Sequence, residues 1–366
     1  MPALWPPANR ADRRPQSRSS PMVAGIAHPL RGTPSTTRDE WTGKGVGLME
    51  DQLYGGTVAT APEPESMLLP GHDVPLGRYT TVRRLLPQRQ RRMVGAWCFV
   101  DHFGPEDVSG RPGMQVPPHP HTGLQTVTWL VDGEIVHRDS LGSDQPIRPG
   151  QLNLMSSGHG IAHSEMSPPE HPPGMHGLQL WVALPEEERH GEPRFEHHAE
   201  LPVLQDGEAT LTVLAGRFGS AQSPAGVHTP LVAVEMVLPG PGSHRLVLEP
   251  AFEYGVLTMA GAVDVDDVTV TPGSLLYLSP GRSELTVEAP GEARVVLLGG
   301  EPFEEDLVMW WNFVGRSHEE IVQAREDWMA GRRFGQVSSC SADPLPAPAL
   351  PTVRLKARDR HGRTVS

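Results

Sequence analysis

The chain has only two cysteines in 366 residues, Cys98 and Cys340, far apart in sequence. That excludes a disulfide framework and a cysteine-based zinc site. Cys98 sits in the apolar run Ala96-Trp97-Cys98-Phe99-Val100 and reads as a buried thiol. No run of 18 apolar residues exists, so the sequence offers no membrane-spanning helix. Arg10, Arg13, Arg14 and Arg18 are followed by only a short apolar stretch, residues 22–27. The twin arginines at 13–14 lead into Pro-Gln-Ser, so neither a secretory nor a twin-arginine leader is expected, and the expected location is the cytoplasm. Positive charge is also scarce where the fold should lie. Residues 1–50 hold seven Lys/Arg against four Asp/Glu and residues 337–366 hold five against two, each +3, which leaves 51–336 at −19 within a total of −13. So acidic a core repels a phosphate backbone, and direct nucleic-acid binding is not expected.

Turn formers, by contrast, are plentiful: 39 Gly and 39 Pro. They disfavour long helices and suit many short strands. Residues 1–70 are rich in Pro, Ser, Gly and Arg without apolar periodicity and are expected to be disordered, as is the Pro-rich tail 337–366. Removing either end is expected to leave metal content and melting temperature unchanged. Because the globular pattern begins near Leu76, Met49 or Met67 could be the start of translation. The one convincing helix is late, with Ser317 as N-cap, Glu320 at the capping-box position, and Ile321, Ala324 and Trp328 on one face.

Between the tails the pattern repeats. Residues 131–139 resemble 259–267, and residues 148–158 resemble 271–281, each copy reading strand, Gly turn, strand, Pro-Gly turn, strand. Two copies about 125 residues apart predict an all-β fold of two tandem antiparallel jelly-roll barrels with a C-terminal helix, the domains spanning 71–200 and 201–336.

Histidines concentrate in the first copy, which holds 11 of the 17 between His102 and His198. In a strand, residues i and i+2 share a face, so His119-Pro120-His121 projects two imidazoles together. His163-Ser164-Glu165 repeats that geometry about 40 residues later. Together they predict a metal centre of three imidazoles and one carboxylate: His119, His121, His163 and Glu165. Such a set suits one divalent ion, Fe(II), Ni, Cu, Mn or Zn, and leaves positions open for substrate or dioxygen. Aligning the copies on their glycine turns puts Val247, Glu249, Thr286 and Glu288 at the four ligand positions, so the second barrel is expected to bind no metal. His102, His137, His159 and His176 are candidates to orient the ligating rings. Trp310 and Trp311 are read as packing between barrel and helix. Residues 170–173 and His197-His198 are read as polar connections.

The segments Asp101-His102-Phe103-Gly104-Pro105, His119-Pro120-His121-Thr122-Gly123, residues 158–166 and Gly177-Leu178-Gln179-Leu180-Trp181-Val182 resemble the signature segments of the pirin family of bicupins. Trp311-Asn312-Phe313-Val314 is similar to bacterial pirins, and the resemblance covers roughly residues 75–335. It implies a non-haem iron-type site with the four ligands above. It also implies an activity like quercetin 2,3-dioxygenase on a flavonol-like aromatic or, alternatively, an iron-dependent redox-sensing regulator with a protein partner. General cupins place a ligating Glu four residues after the second His. Gln125 stands there, so the carboxylate role falls to Glu165, which could also act as general base.

Overall fold

The computed structural model describes residues 65–77 and 79–364. The expected disorder of residues 1–64 lies outside them. Two antiparallel barrels follow one another, as the repeat predicts. The N-terminal barrel joins a seven-stranded sheet to a four-stranded sheet built from Gln115–His121, Ile161–Met166, Ile135–Asp139 and Asp144–Ile147. The C-terminal barrel repeats the plan, its four-stranded sheet built from Gly242–Val247, Glu284–Ala289, Val263–Val265 and Val268–Val270. Strand Ser66–Pro70, expected in the disordered extension, instead pairs with Ser274–Leu278 and extends the larger sheet of the second barrel.

The large sheets bury one continuous apolar core that includes Trp97, Leu180, Leu257 and Val296, so the barrels share a core across their seam. A buried carboxylate also bridges them. Glu253 accepts from the Gly95 amide at 2.7 Å and from the Tyr277 hydroxyl at 2.8 Å, with the Arg91 guanidinium over the Tyr277 ring. A buried carboxylate is tolerated only when its oxygens are met in this way.

The helix His318–Met329 is capped as expected, the Ser317 hydroxyl accepting from the Glu320 amide. It buries Ile321 and Ala324 on a cluster containing Trp310, Trp311 and Phe313. Residues 337–364, expected to be disordered, pack onto that same cluster. Leu345 and Leu350 are half-buried and Ala347 is buried. The Leu345 amide donates to Pro118 O at 2.8 Å, and the Trp328 indole donates to Leu345 O at 2.8 Å. Leu307 and Arg358 exchange two backbone hydrogen bonds of 3.0 Å. The segment lacks periodicity because it forms no regular element. Pro344, Pro346, Pro348 and Pro351 restrict the unfolded chain, which lowers the entropy lost on docking an extended segment. Each apolar side chain it buries contributes about 1.5–3 kcal/mol when fully covered. Truncation after Val337 is therefore expected to lower the melting temperature by roughly 5 °C or more. A calorimetric midpoint unchanged by the truncation would contradict the docking.

Candidate metal centre

Strands Gln115–His121 and Ile161–Met166 run antiparallel with His119 opposite His163. On its other edge Ile161–Met166 sets His163 opposite Asp139 and Glu165 opposite His137. Alternation along the strands then turns His119, His121, His163 and Glu165 toward the barrel interior. Ring nitrogens of His119, His121 and His163 lie within 4.8 Å of one another, and all three residues are buried. Glu165 stands beside this cluster rather than within it. It lines the same cavity, and the Thr128 hydroxyl lies 3.0 Å from its Oε1.

Each imidazole is held by its other nitrogen. His119 Nδ1 donates to Pro117 O at 2.9 Å and His121 Nδ1 to Asn312 O at 3.1 Å. A carbonyl only accepts, so each Nδ1 carries the proton and each Nε2 keeps its lone pair. A relay fixes the third ring: His137 Nε2 lies 3.1 Å from Asp139 Oδ2, and His137 Nδ1 lies 3.4 Å from His163 Nδ1. If the carboxylate accepts from His137, His137 Nδ1 in turn accepts from His163. His163 Nε2 then has a lone pair and no proton, and it is buried with no hydrogen-bond partner. A buried polar atom left unpaired beside two like lone pairs fits a metal ion. Burial holds the His119 imidazole down to about 4, and it holds His121 and His163 well below the ordinary range, with neighbouring imidazoles adding to the effect. All three are neutral at pH 7, as ligands must be. Burial pushes the Glu165 carboxyl up, against the pull of His137 and Thr128.

Of the candidate orienting residues, only His137 touches a ligating ring; Phe195 stacks on it at 4.2 Å. His102 and His176 bond each other at 2.9 Å, and His159 Nδ1 turns to Gly191 O. His197 and His198 lie on strand Arg194–His198, not in a connection, and His197 Nδ1 meets Asn153 Oδ1 at 2.7 Å. Gln125 is fully buried but faces away from the cavity, its amide donating to Ser156 Oγ and Gly226 O, both at 2.8 Å.

The roles of Asp139 and Asn312 escaped the sequence reading. Asp139 had a signal, since it lies two residues after His137 on one strand face. Asn312 was marked only as part of the segment Trp311-Asn312-Phe313-Val314, since a contact made through a backbone carbonyl does not show in the residue type. That carbonyl is set by the tight turn between strands Val308–Trp310 and Phe313–Gly315, where Trp311 adopts a left-handed φ of 52°. Such a conformation is costly for a bulky residue and tends to persist where the surroundings impose it. Here the Val314 amide bonds Thr122 O at 3.0 Å and anchors the turn next to His121.

The second barrel corrects the sequence alignment by one residue. Its registers set Leu285 opposite Leu246 and Val287 opposite Val265. The inward positions equivalent to the site are therefore Leu246, Leu248, Leu285 and Val287, all buried. Val247, Glu249 and Glu288 are exposed and Thr286 is half-buried. A slip of one residue exchanges the two faces of a strand. Among the described residues, the inward positions of the second barrel thus carry apolar side chains in place of donors. Asp139→Asn is expected to weaken metal affinity about 10–100-fold by loosening the relay to His163, while Gln125→Ala leaves metal content unchanged. Metal titration of both variants checks this, and the reverse pattern would place Gln125 at the metal.

The Pirin family model matches residues 79–182, and that of the pirin C-terminal cupin domain matches residues 233–335. The chain is 46 % identical over 277 residues to the Pseudomonas aeruginosa protein PA1205, covering 75 % of this chain and 88 % of that one. Human pirin is 31 % identical over 255 residues, covering 68 % of this chain and 86 % of that one. A crystal structure of quercetin 2,3-dioxygenase from Acinetobacter baumannii superposes with a TM-score of 0.77 at 42 % identity, covering 79 % of this chain and 97 % of that one. With both cupin domains matched and the buried histidine cluster in the first, this chain belongs to the pirin family.

Proposed function

We propose that the chain is a metal-dependent dioxygenase of the quercetin 2,3-dioxygenase type, acting in the cytoplasm on an aromatic substrate with an enol- or catechol-like hydroxyl. One divalent ion, Fe(II) before Cu, Ni, Mn or Zn, would be held by His119, His121, His163 and Glu165. The observation that carries this reading is the convergence of three neutral, buried imidazoles within 4.8 Å, with His163 Nε2 unpaired. A redox-active ion held there supplies Lewis-acid polarisation and electron transfer toward dioxygen.

The chain's own residues supply the rest. Glu165, its proton affinity raised by burial, would take the substrate hydroxyl proton as general base, with the Thr128 hydroxyl steadying its Oε1. Phe99 and Trp181, stacked at 4.0 Å, form an aromatic wall against which a planar ring can pack.

A second reading, an iron-dependent redox sensor that presents a surface to a protein partner, is favoured by the size of the cavity. The space beside the imidazoles is about 40 Å³, room for a few waters. Pockets for drug-sized ligands are about 300–1,000 Å³. A flavonol could enter only if Leu76, Met114 and Val116, which line the cavity, moved aside.

Oxygen uptake by the iron-loaded protein with a panel of flavonols separates the two readings. The enzyme reading expects substrate-dependent uptake that is abolished in Glu165→Gln and rises when Met114→Ala opens the cavity. No uptake in either the wild type or Met114→Ala, with iron bound, would leave the sensor reading.

A further inference from the structure

Net charge is −13, yet one concavity of the protein is strongly positive. A groove of about 1050 Å³ runs between the edge strand His72–Leu76, residues 87–92, strand Val308–Trp310 and the docked segment 351–362. Six cationic side chains line it, Arg84, Arg89, Arg92, Arg354, Lys356 and Arg358, against one carboxylate, Asp73. Three of these seven charges are already matched: Arg84 by Asp101, Arg354 by Glu319, and Asp73 by Arg83. Arg89, Arg92, Lys356 and Arg358 have no carboxylate partner among the described residues. Arg92 is half-buried with its stem near Gly362, and both burial and the nearby Arg358 work against its charge. Guanidinium groups crowded in this way gain most from an anion between them.

A second observation is independent of charge. Trp310 lines the same groove and is only 3 % exposed, and its indole Nε1 has no hydrogen-bond partner. Its ring adds an aromatic surface to the wall of the groove. Leu307, Met309 and Leu355 give the groove an apolar side.

We propose that this groove binds a small organic polyanion, one bearing carboxylate or phosphate groups on an apolar body. The guanidinium forks of Arg92 and Arg358 would grip the acid groups, Lys356 and Arg89 would add charge, and the part of the Trp310 ring that lines the groove would pack against the apolar body. A small ligand fits better than a nucleic acid. Glu319, bonded to Arg354, and Asp359, next to Arg358, interrupt the positive surface that a long polyanion would follow. The groove backs onto the metal cavity across the buried Arg84–Asp101 pair, since Arg84 lines one and Asp101 the other. The inference does not depend on turnover or on the metal's identity.

The test uses the full-length protein at low salt, with pyrophosphate as the phosphate probe and benzene-1,2,4-tricarboxylate as the carboxylate probe. Calorimetry should show saturable binding of at least one probe, one per chain, and the tighter of the two identifies the acid group preferred. The Trp310 indole N–H resonance, assigned with Trp310→Phe, should shift on saturation. Arg92→Gln combined with Arg358→Gln should weaken binding at least about tenfold while leaving metal content and melting temperature unchanged. The exposed Lys356→Gln is the companion variant if that pair perturbs folding, and it should also weaken binding. No saturable binding of either probe would overturn the proposal, as would a Trp310 resonance that does not move or affinity indifferent to these substitutions.

Discussion

Three buried imidazoles packed within 4.8 Å of one another can coexist only as neutral rings, each with its second nitrogen hydrogen-bonded. Much of the surrounding architecture follows from this requirement. It explains why a carboxylate, Asp139, is buried behind His137, and why Pro117 and Asn312 present backbone carbonyls to His119 and His121. It also makes the C-terminal part of the chain a component of the site. The turn that carries Asn312 is braced by Phe313, Trp310 and the helix His318–Met329, and the Pro-rich segment beyond covers that cluster.

The two barrels show how one framework serves two ends. In the first, the inward positions of two strands hold nitrogen donors. In the second, the equivalent positions hold Leu246, Leu248, Leu285 and Val287, which merge with that barrel's apolar core. Apolar filling stabilises the second barrel without any need for buried hydrogen-bond partners. The first barrel gives up part of that filling, and its large sheet shares an apolar core with the second barrel across the seam.

Much of this was legible in the sequence because strands write their geometry with a period of two. His119-Pro120-His121 and His163-Ser164-Glu165 announced one face, and the paired Pro-Gly turns announced two barrels. The alignment of the second barrel failed for the same reason: a turn-based match displaced by one residue selects the outward side chains. The docked tail was illegible because Leu345, Ala347 and Leu350 follow no regular period, and composition alone resembles that of a disordered segment. The role of Asn312 was not legible, because a backbone carbonyl leaves no mark in the residue type.

The proposed chemistry requires one metal ion per chain, bound through the three imidazoles of the first barrel. Elemental analysis of anaerobically purified protein, with His163→Ala measured alongside, tests this most directly. About one equivalent is expected in the wild type and none in the variant. Close to two equivalents, or a variant that keeps its metal, would contradict it.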